Sequence, residues 1–158
     1  MTGESTAKPH AGVRFPPPFM YLISIAVGVG AEFLYPLTLL PGTPGRVVGG
    51  ALIVASVGLI LWAVRSFKRE KTAVEPWKPT STIVVSGPFR FTRNPMYISL
   101  SGIQAGIAFA ANSPWILIAL VPVLVIVNFA VIGREERYLE RTFGETYLAY
   151  KGSVRRWV

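Results

Sequence analysis

Residues 87–97 read GPFRFTRNPMY and lie between two long apolar runs, where a membrane protein usually avoids polar and basic side chains. The stretch opens on a Gly-Pro turn and ends just before the next apolar run. Proline is favoured in the first turn of a helix, because the N–H that it lacks would have no partner there. Pro95 therefore predicts a helix start, and the free N–H groups of that turn predict a binding site for an anionic group at the membrane surface.

Four apolar segments are predicted to span the membrane as helices. They cover residues 19–40, 47–64, 96–111 and 115–132. A helix needs about 20 residues to cross a bilayer, so the third segment is short, and Asn112-Ser113-Pro114 predicts a tight turn between it and the fourth. Gln104, a polar amide inside the third segment, is expected to form a hydrogen bond between helices.

The expected fold is therefore an all-α integral membrane protein with four transmembrane helices, of which the last two form a tight hairpin. A single membrane domain over residues 19–158 follows a short tail, residues 1–18, which lacks the pattern of a signal peptide and is expected to be disordered. A loop over residues 65–95 and a segment over residues 133–158 with an amphipathic helix complete the prediction.

The positive charges predict the orientation of the spans. Of the 16 lysines and arginines, only Arg46 falls on the side opposite to the loop and the two termini. The positive-inside rule then places both termini in the cytoplasm. For a bacterial protein the membrane would be the plasma or inner membrane. The net charge of +8 is explained by this topology and by anionic lipid, rather than by binding to nucleic acid. Arg155 and Arg156 are expected to contact lipid phosphates, and Trp157 is expected to anchor at the interface.

The composition argues against several kinds of active site. The chain has no cysteine and no aspartate, and its one histidine, His10, lies in the polar tail. A thiolate or metal site, a Ser-His-Asp triad and a histidine general base are therefore not expected. Chemistry would have to come from glutamate, arginine, tyrosine, asparagine and backbone groups, or from a cofactor that carries its own reactivity.

The hairpin predicts that two polar regions meet at one membrane face. Because the third and fourth spans are antiparallel, Arg93–Tyr97 and Arg134–Glu136 must lie at the same level. Two adjacent glutamates at that depth are costly unless something pairs with them. Arg90, Arg93 and Arg134 are the candidate partners within the chain, and a cationic ligand is the other candidate.

Two motifs of the chain carry a resemblance to a known protein family. GPFRFTRNPMY, followed after the hairpin by EERYLERTFGETYLAYKGSVRRW, resembles the integral-membrane isoprenylcysteine carboxyl methyltransferase family and the related phospholipid methyltransferases. The resemblance covers about residues 75–158. It implies S-adenosylmethionine as the cofactor, held at the cytosolic end of the helix hairpin.

The resemblance also implies the residues that hold the cofactor. Asn94 takes the place of a commoner histidine in the family's motif, and it keeps hydrogen-bonding capacity but cannot titrate near neutrality. No catalytic residue is assigned with certainty, and Arg93 and Glu135 are given positioning roles. The residues assigned to cofactor binding are Ser81, Thr82, Ile83, Val84, Phe89, Arg93, Asn94, Pro95, Met96, Tyr97, Glu135 and Glu136, with residues 81–84 matching a strand-like segment.

Weaker assignments concern the substrate. Val131 stands where the eukaryotic prenylcysteine enzymes carry an arginine that meets the substrate carboxylate, so the substrate is expected to be recognised differently. Arg134 is a second candidate, and Glu32 either lines an acceptor tunnel or reaches the interface near Pro36. Tyr147 and Tyr150 either close over the cofactor or pack a terminal helix on the membrane.

The resemblance predicts methyl transfer from S-adenosylmethionine to a lipophilic acceptor, either an isoprenylcysteine-like carboxylate or a lipid, at the cytosolic face. Two alternatives are a membrane reductase of the sterol-reductase type that uses NADPH, and a non-catalytic lipid-binding subunit. The sequence names neither the acceptor atom nor the oligomeric state.

Overall fold

The computed structural model describes residues 16–40, 43–70 and 81–158, and the regular structure in these ranges is helical, with no β-strand. The predicted tail up to residue 15, and residues 71–80 of the predicted loop, lie outside them. The helices are α1 (Pro17–Leu34), α2 (Pro44–Arg69), α3 (Pro95–Ala110), α4 (Pro114–Ile126), α5 (Gly133–Phe143) and α6 (Glu145–Ser153). A 3-10 turn, Gly87–Arg90, precedes α3, and a π-helical segment, Val127–Ile132, joins α4 to α5.

Each of the first four helices begins with a proline. Pro17, Pro44, Pro95 and Pro114 all stand at the first helical position. The fixed φ of proline suits that position, and no intrahelical hydrogen bond is lost there. These prolines mark the helix starts within three residues of the predicted spans.

The structure supports three of the four predicted crossings. Among the described residues, Pro17–Leu34, Pro44–Arg69 and the continuous helix Pro114–Phe143 are long and apolar enough to cross a membrane. With 16 residues, α3 is about 24 Å long at 1.5 Å per residue, which is less than the hydrocarbon core of about 30 Å. The hairpin of α3 and α4 is present, and it turns at Asn112 with φ of 55°.

The first and last segments differ from the prediction. α1 ends at Leu34 rather than continuing to residue 40, because Pro36 disfavours a helical conformation in the residue before it. At residue 132, where the fourth span is predicted to end, the helix does not stop. Instead α5 continues the membrane helix without a break, and α6 follows it after Gly144, whose φ is 51°.

The helices pack around α3, which contacts α2, α4 and α1, while α1 packs mainly on α4. The expected interhelical bond of Gln104 is confirmed, since its Nε2 donates to Ser24 Oγ at 2.7 Å and to the Ile116 carbonyl at 3.1 Å. α1 and α3 run in the same direction, because Tyr21 Oη and Ser101 Oγ, both near the helix starts, are 3.0 Å apart. The starts of α1 and α3 and the ends of α2 and α4 therefore lie together, at what we call the site end.

Small residues bring α2 and α3 into backbone contact. A Cβ atom added to Gly49 would lie 2.5 Å from both the Ala110 nitrogen and the Gly106 carbonyl oxygen. Real Cβ atoms do not approach backbone so closely, so only glycine fits. Such approaches are how helices gain van der Waals contact in lipid, where no hydrophobic force drives them together.

The first testable prediction concerns this contact. Gly49→Leu is expected to destabilise the protein by about 1–3 kcal/mol or more, because the two helices must separate to admit the side chain. Thermal unfolding of the detergent-solubilised protein measures the effect. Gly50→Leu is the matched control, since nothing lies within 4 Å of a Cβ atom there. Equal melting temperatures for the two variants would contradict the close packing of α2 on α3.

Candidate functional site

Hydrogen bonds of the Asn94 backbone and of the Asn94 side chain hold the start of α3 in place. The Asn94 backbone N–H donates to Thr92 Oγ1 at 3.2 Å, and the side-chain Nδ2 donates to the carbonyl of Arg156 at 2.8 Å. The Asn94 carbonyl accepts from the N–H groups of Tyr97 and Ile98, each at 3.1 Å. Asn94 is buried, so its side chain fixes the chain ahead of the helix.

Because of these bonds, the start of α3 has fewer free backbone N–H groups than the sequence predicted. Pro95 has no N–H, and the N–H of Arg93 donates to the carbonyl of Arg155 at 2.9 Å. With Tyr97 and Ile98 bonded to Asn94, only the N–H of Met96 remains without a partner within the described first turn. Any anionic ligand at this position must therefore rely on side chains more than on the backbone.

The two adjacent glutamates point to different neighbours. Glu135 Oε1 accepts a hydrogen bond from the hydroxyl of Tyr97 at 2.6 Å. Glu136 Oε1 accepts from Arg93 NH1 at 2.7 Å and from Arg156 Nε at 3.0 Å, and its Oε2 accepts from Arg156 NH2 at 2.5 Å. Consecutive residues of a helix point about 100° apart, which separates the two carboxylates. The predicted meeting of the two polar regions is thus confirmed.

Glu136 lies in a buried ion cluster. Its side chain is 8% exposed and that of Arg93 is 10% exposed, whereas Arg156 reaches the surface with 35% exposure. Two guanidinium groups on one carboxylate leave a local excess of positive charge. One polar atom of this cluster, Arg93 Nε, is buried and has no partner in the described part of the chain.

Two tyrosines of α6 cover the cluster from the side. Burial raises the pKa of Tyr147 to about 12, and the nearby Arg93 guanidinium offsets only part of this rise. Burial likewise raises the pKa of Tyr150, with Tyr147 adding to it. Both hydroxyls therefore stay protonated at neutral pH; that of Tyr147 accepts a hydrogen bond from Arg93, and that of Tyr150 donates to the carbonyl of Phe89 at 2.8 Å. α6 thus packs against the site end.

The upstream residues assigned to the site pack behind α3. Val84 and Phe89 are buried together with Ala63, and Met96 packs against them. The Phe89 ring meets Phe67 edge-on, with centroids 5.1 Å apart. The segment Ser81, Thr82, Ile83 and Val84 is not a strand but irregular chain, in which only Val84 is buried. The expected strand-like segment is therefore absent from these residues, because they have no neighbouring strand to pair with.

The three weaker substrate residues do not come together. Val131 is 2% exposed and belongs to the apolar core around Tyr21 and Tyr97. Arg134 is exposed, with no ion pair to a described carboxylate. Glu32 lies at the opposite end of the bundle, where its carboxylate accepts from the Leu37 N–H at 2.9 Å and from the Ser113 hydroxyl at 2.5 Å.

Two residues of the site end, Arg156 and Trp157, were not predicted to belong to the site. Arg156 was expected to contact lipid phosphate, and instead it binds Glu136. Trp157 was expected at the interface, and its Nε1 donates to Asn128 Oδ1 in the π-helical segment at 3.0 Å. No regular spacing links these residues to their partners, which lie 20 and 29 positions away.

Known proteins resemble this chain over part of its length. The family model described as phospholipid methyltransferase matches residues 45–146, more than half of the chain. An uncharacterized protein of Haemophilus influenzae is 35% identical over 63 residues, which are 40% of this chain and 100% of that protein. No solved structure matches the chain. The family match includes the start of α3 and both glutamates of α5, but it ends before Arg156.

Proposed function

Because the chain belongs to the phospholipid methyltransferase family, we propose that it transfers a methyl group from S-adenosylmethionine to a lipophilic acceptor at the cytosolic membrane face. The observation that carries this proposal is the contact between Tyr97 at the start of α3 and Glu135 at the start of α5, 2.6 Å apart. It joins the two motifs in one place. The contact is made by tyrosine and glutamate, and it requires neither of the residue types, cysteine and aspartate, that the chain lacks.

The polar groups around this contact fit the cofactor. S-adenosylmethionine carries an amine, ribose hydroxyls and a carboxylate. Glu135 supplies acceptor oxygens for the amine or the hydroxyls. The orphaned donor Arg93 Nε is of the kind that a ligand carboxylate satisfies, since a buried donor without a partner is costly.

S-adenosylmethionine, when bound, supplies a methyl group already activated by its sulfonium. The protein then needs to position two reactants and exclude water, rather than to provide a strong base. Val131 and Ile132, one turn before Glu135, are fully buried with Tyr21 and Tyr97 in the apolar core. These side chains keep the membrane side of the glutamate dry and hold the Tyr97 ring in place.

Charge supports the cytosolic side for the site. Except for Arg46, the exposed cations of the described residues lie at the site end, and they include Arg90, Arg134, Arg137, Arg141 and Arg155. Arg46 lies at the other end, in the first turn of α2. By the positive-inside rule, the site end then faces the cytoplasm, with both termini on that side.

The acceptor would reach the site from the lipid. Val131 offers no charge to a substrate carboxylate and is closed off by the core. An acceptor with a carboxylate would therefore need another cation, and Arg134 is the nearest exposed one in sequence. A lipid amine would need none. We propose access between α1 and α3, since α1 contacts α3 far less than α2 does.

The second prediction tests the activity. Detergent-purified protein is expected to bind S-adenosylmethionine and S-adenosylhomocysteine in calorimetry, and not NADPH. With tritiated S-adenosylmethionine it is then expected to label phosphatidylethanolamine or an isoprenylated cysteine, each offered separately in lipid nanodiscs. Binding of NADPH alone would replace this proposal by the reductase, and binding of neither by folded protein would favour a non-catalytic subunit.

A further inference from the structure

Residues 154–157, which we call the clamp segment, cross over the start of α3 after α6 has ended. They comprise Val154, Arg155, Arg156 and Trp157. We propose that Arg156 of the clamp segment is a positioning residue of the cofactor site, which sets the direction of Glu135 through Glu136. This inference rests on the proposed function, and it extends the site beyond the residues that match the family.

The backbone of the clamp segment is fixed to the chain ahead of α3. Thr92 and Arg155 form a parallel β-bridge, and the Arg93 N–H donates to the Arg155 carbonyl at 2.9 Å. The carbonyl of Arg156 accepts from Asn94 Nδ2 at 2.8 Å and from Thr92 Oγ1 at 3.2 Å. The clamp segment therefore has one defined position relative to the first turn of α3.

The side chains of the clamp segment reach the other half of the site. Arg156 binds both oxygens of Glu136, a two-point contact that fixes direction as well as distance. Trp157 packs on the core cluster of α4 and its π-helical segment, where its Nε1 bonds Asn128. Arg155 and Arg156 thus hold the chain ahead of α3 by their backbone carbonyls, while Arg156 and Trp157 hold the α4–α5 helix by their side chains.

The two attachments of the clamp segment, to the chain ahead of α3 and to the α4–α5 helix, set the direction in which the Glu135 side chain points. It is joined to Glu136 by one peptide bond, so rotation of α5 about its axis moves both carboxylates together. A π-helical turn, Val127–Ile132, lies directly before α5, and such turns accommodate a shift of register that an α-helix does not. Arg156 and Arg93 hold Glu136, which points about 100° around the helix from Glu135, and this keeps Glu135 facing Tyr97.

Three variants test the inference through calorimetric binding of S-adenosylhomocysteine. Arg156→Ala is expected to weaken binding by about tenfold. Among the described residues assigned to the cofactor, Arg156 bonds only Glu136 and Asn94. Arg156→Lys keeps the charge but not the two-point contact, and it is expected to bind with intermediate affinity. Arg155→Ala is the matched control, since Arg155 is exposed and bonds Arg93 through its backbone carbonyl, and its affinity is expected to equal that of the wild type.

The outcomes separate this inference from the proposed function. Absence of binding by the folded wild type would overturn the proposed function, and with it this inference. Wild-type affinity in Arg156→Ala or, if that variant fails to fold, in Arg156→Lys would overturn the inference alone. Weakened binding in a variant whose melting temperature equals that of Arg155→Ala would support positioning, because a loss of stability alone leaves the affinity of the folded fraction unchanged.

Discussion

Glu135→Gln is expected to weaken the binding of S-adenosylhomocysteine by about tenfold to a hundredfold, the range for loss of a hydrogen bond to a charged group. Glutamine keeps the size of the side chain and its contact with Tyr97, which is 2.6 Å from Glu135 Oε1. It loses the negative charge and half of the acceptor capacity. Calorimetry on detergent-purified protein gives the affinity, and a thermal scan of the same sample gives the stability.

Glu145→Gln provides the control for this prediction. Glu145 stands in the first turn of α6 and is exposed, so the same chemical change there is expected to leave the affinity as it was. If Glu135→Gln bound the ligand as tightly as the wild type, Glu135 would have no part in the cofactor site. The proposal would then have to rest on other residues of α3 and α5.

Glu136→Gln is expected to have the largest effect on stability. Removing its charge leaves Arg93 buried, and Arg156 half-buried, without a counterion among the described residues, and breaking a buried pair in this way costs about 3–5 kcal/mol. Since Arg156 is 35% exposed, water recovers part of its solvation, and we expect the lower end of that range. The measurement is equilibrium unfolding in detergent, with the change in melting temperature as a second readout.

Glu140→Gln is the matched variant for the buried cluster. Glu140 lies on the same helix and pairs with Lys151 at 2.5 Å, but its side chain is 30% exposed. An ion pair at the surface contributes about 0–1 kcal/mol, so this variant is expected to melt close to the wild type. A loss at Glu140 as large as that at Glu136 would show that burial of the Arg93–Glu136–Arg156 cluster is not what stabilises the site end.

Together the four variants distinguish the roles of the neighbouring glutamates Glu135 and Glu136. Glu135 is expected to affect ligand affinity with little change in stability, while Glu136 is expected to affect stability first. Of the two, the family resemblance gives a positioning role to Glu135 alone, but two adjacent carboxylates at the end of an apolar helix do not reveal their partners from sequence. The distinction comes from their partners, which are a tyrosine hydroxyl for one and two guanidinium groups for the other.

Much of the fold follows from short-range rules that a sequence carries openly. Helices begin at Pro17, Pro44, Pro95 and Pro114 because proline fits the first helical turn and few other helical positions. The hairpin at Asn112 follows from two apolar segments separated by three turn-forming residues. That hairpin in turn brings the start of α3 beside the end of α4, which is why the meeting of residues 93–97 with residues 134–136 was predictable from the sequence.

The remainder was decided by tertiary structure. The π-helical segment Val127–Ile132 has no local signature in an apolar run, and it sets which way α5 faces. Arg156 and Trp157 lie 20 and 29 residues from their partners, and no helical or strand periodicity spans those distances. Sequence by itself determined the membrane class, the helix starts and the residues that meet at the site end, since these depend on local conformation and hydropathy. Only the packed structure decided that Glu136 is held by two arginines, because such bonds form between segments whose approach is fixed by the burial of the whole bundle.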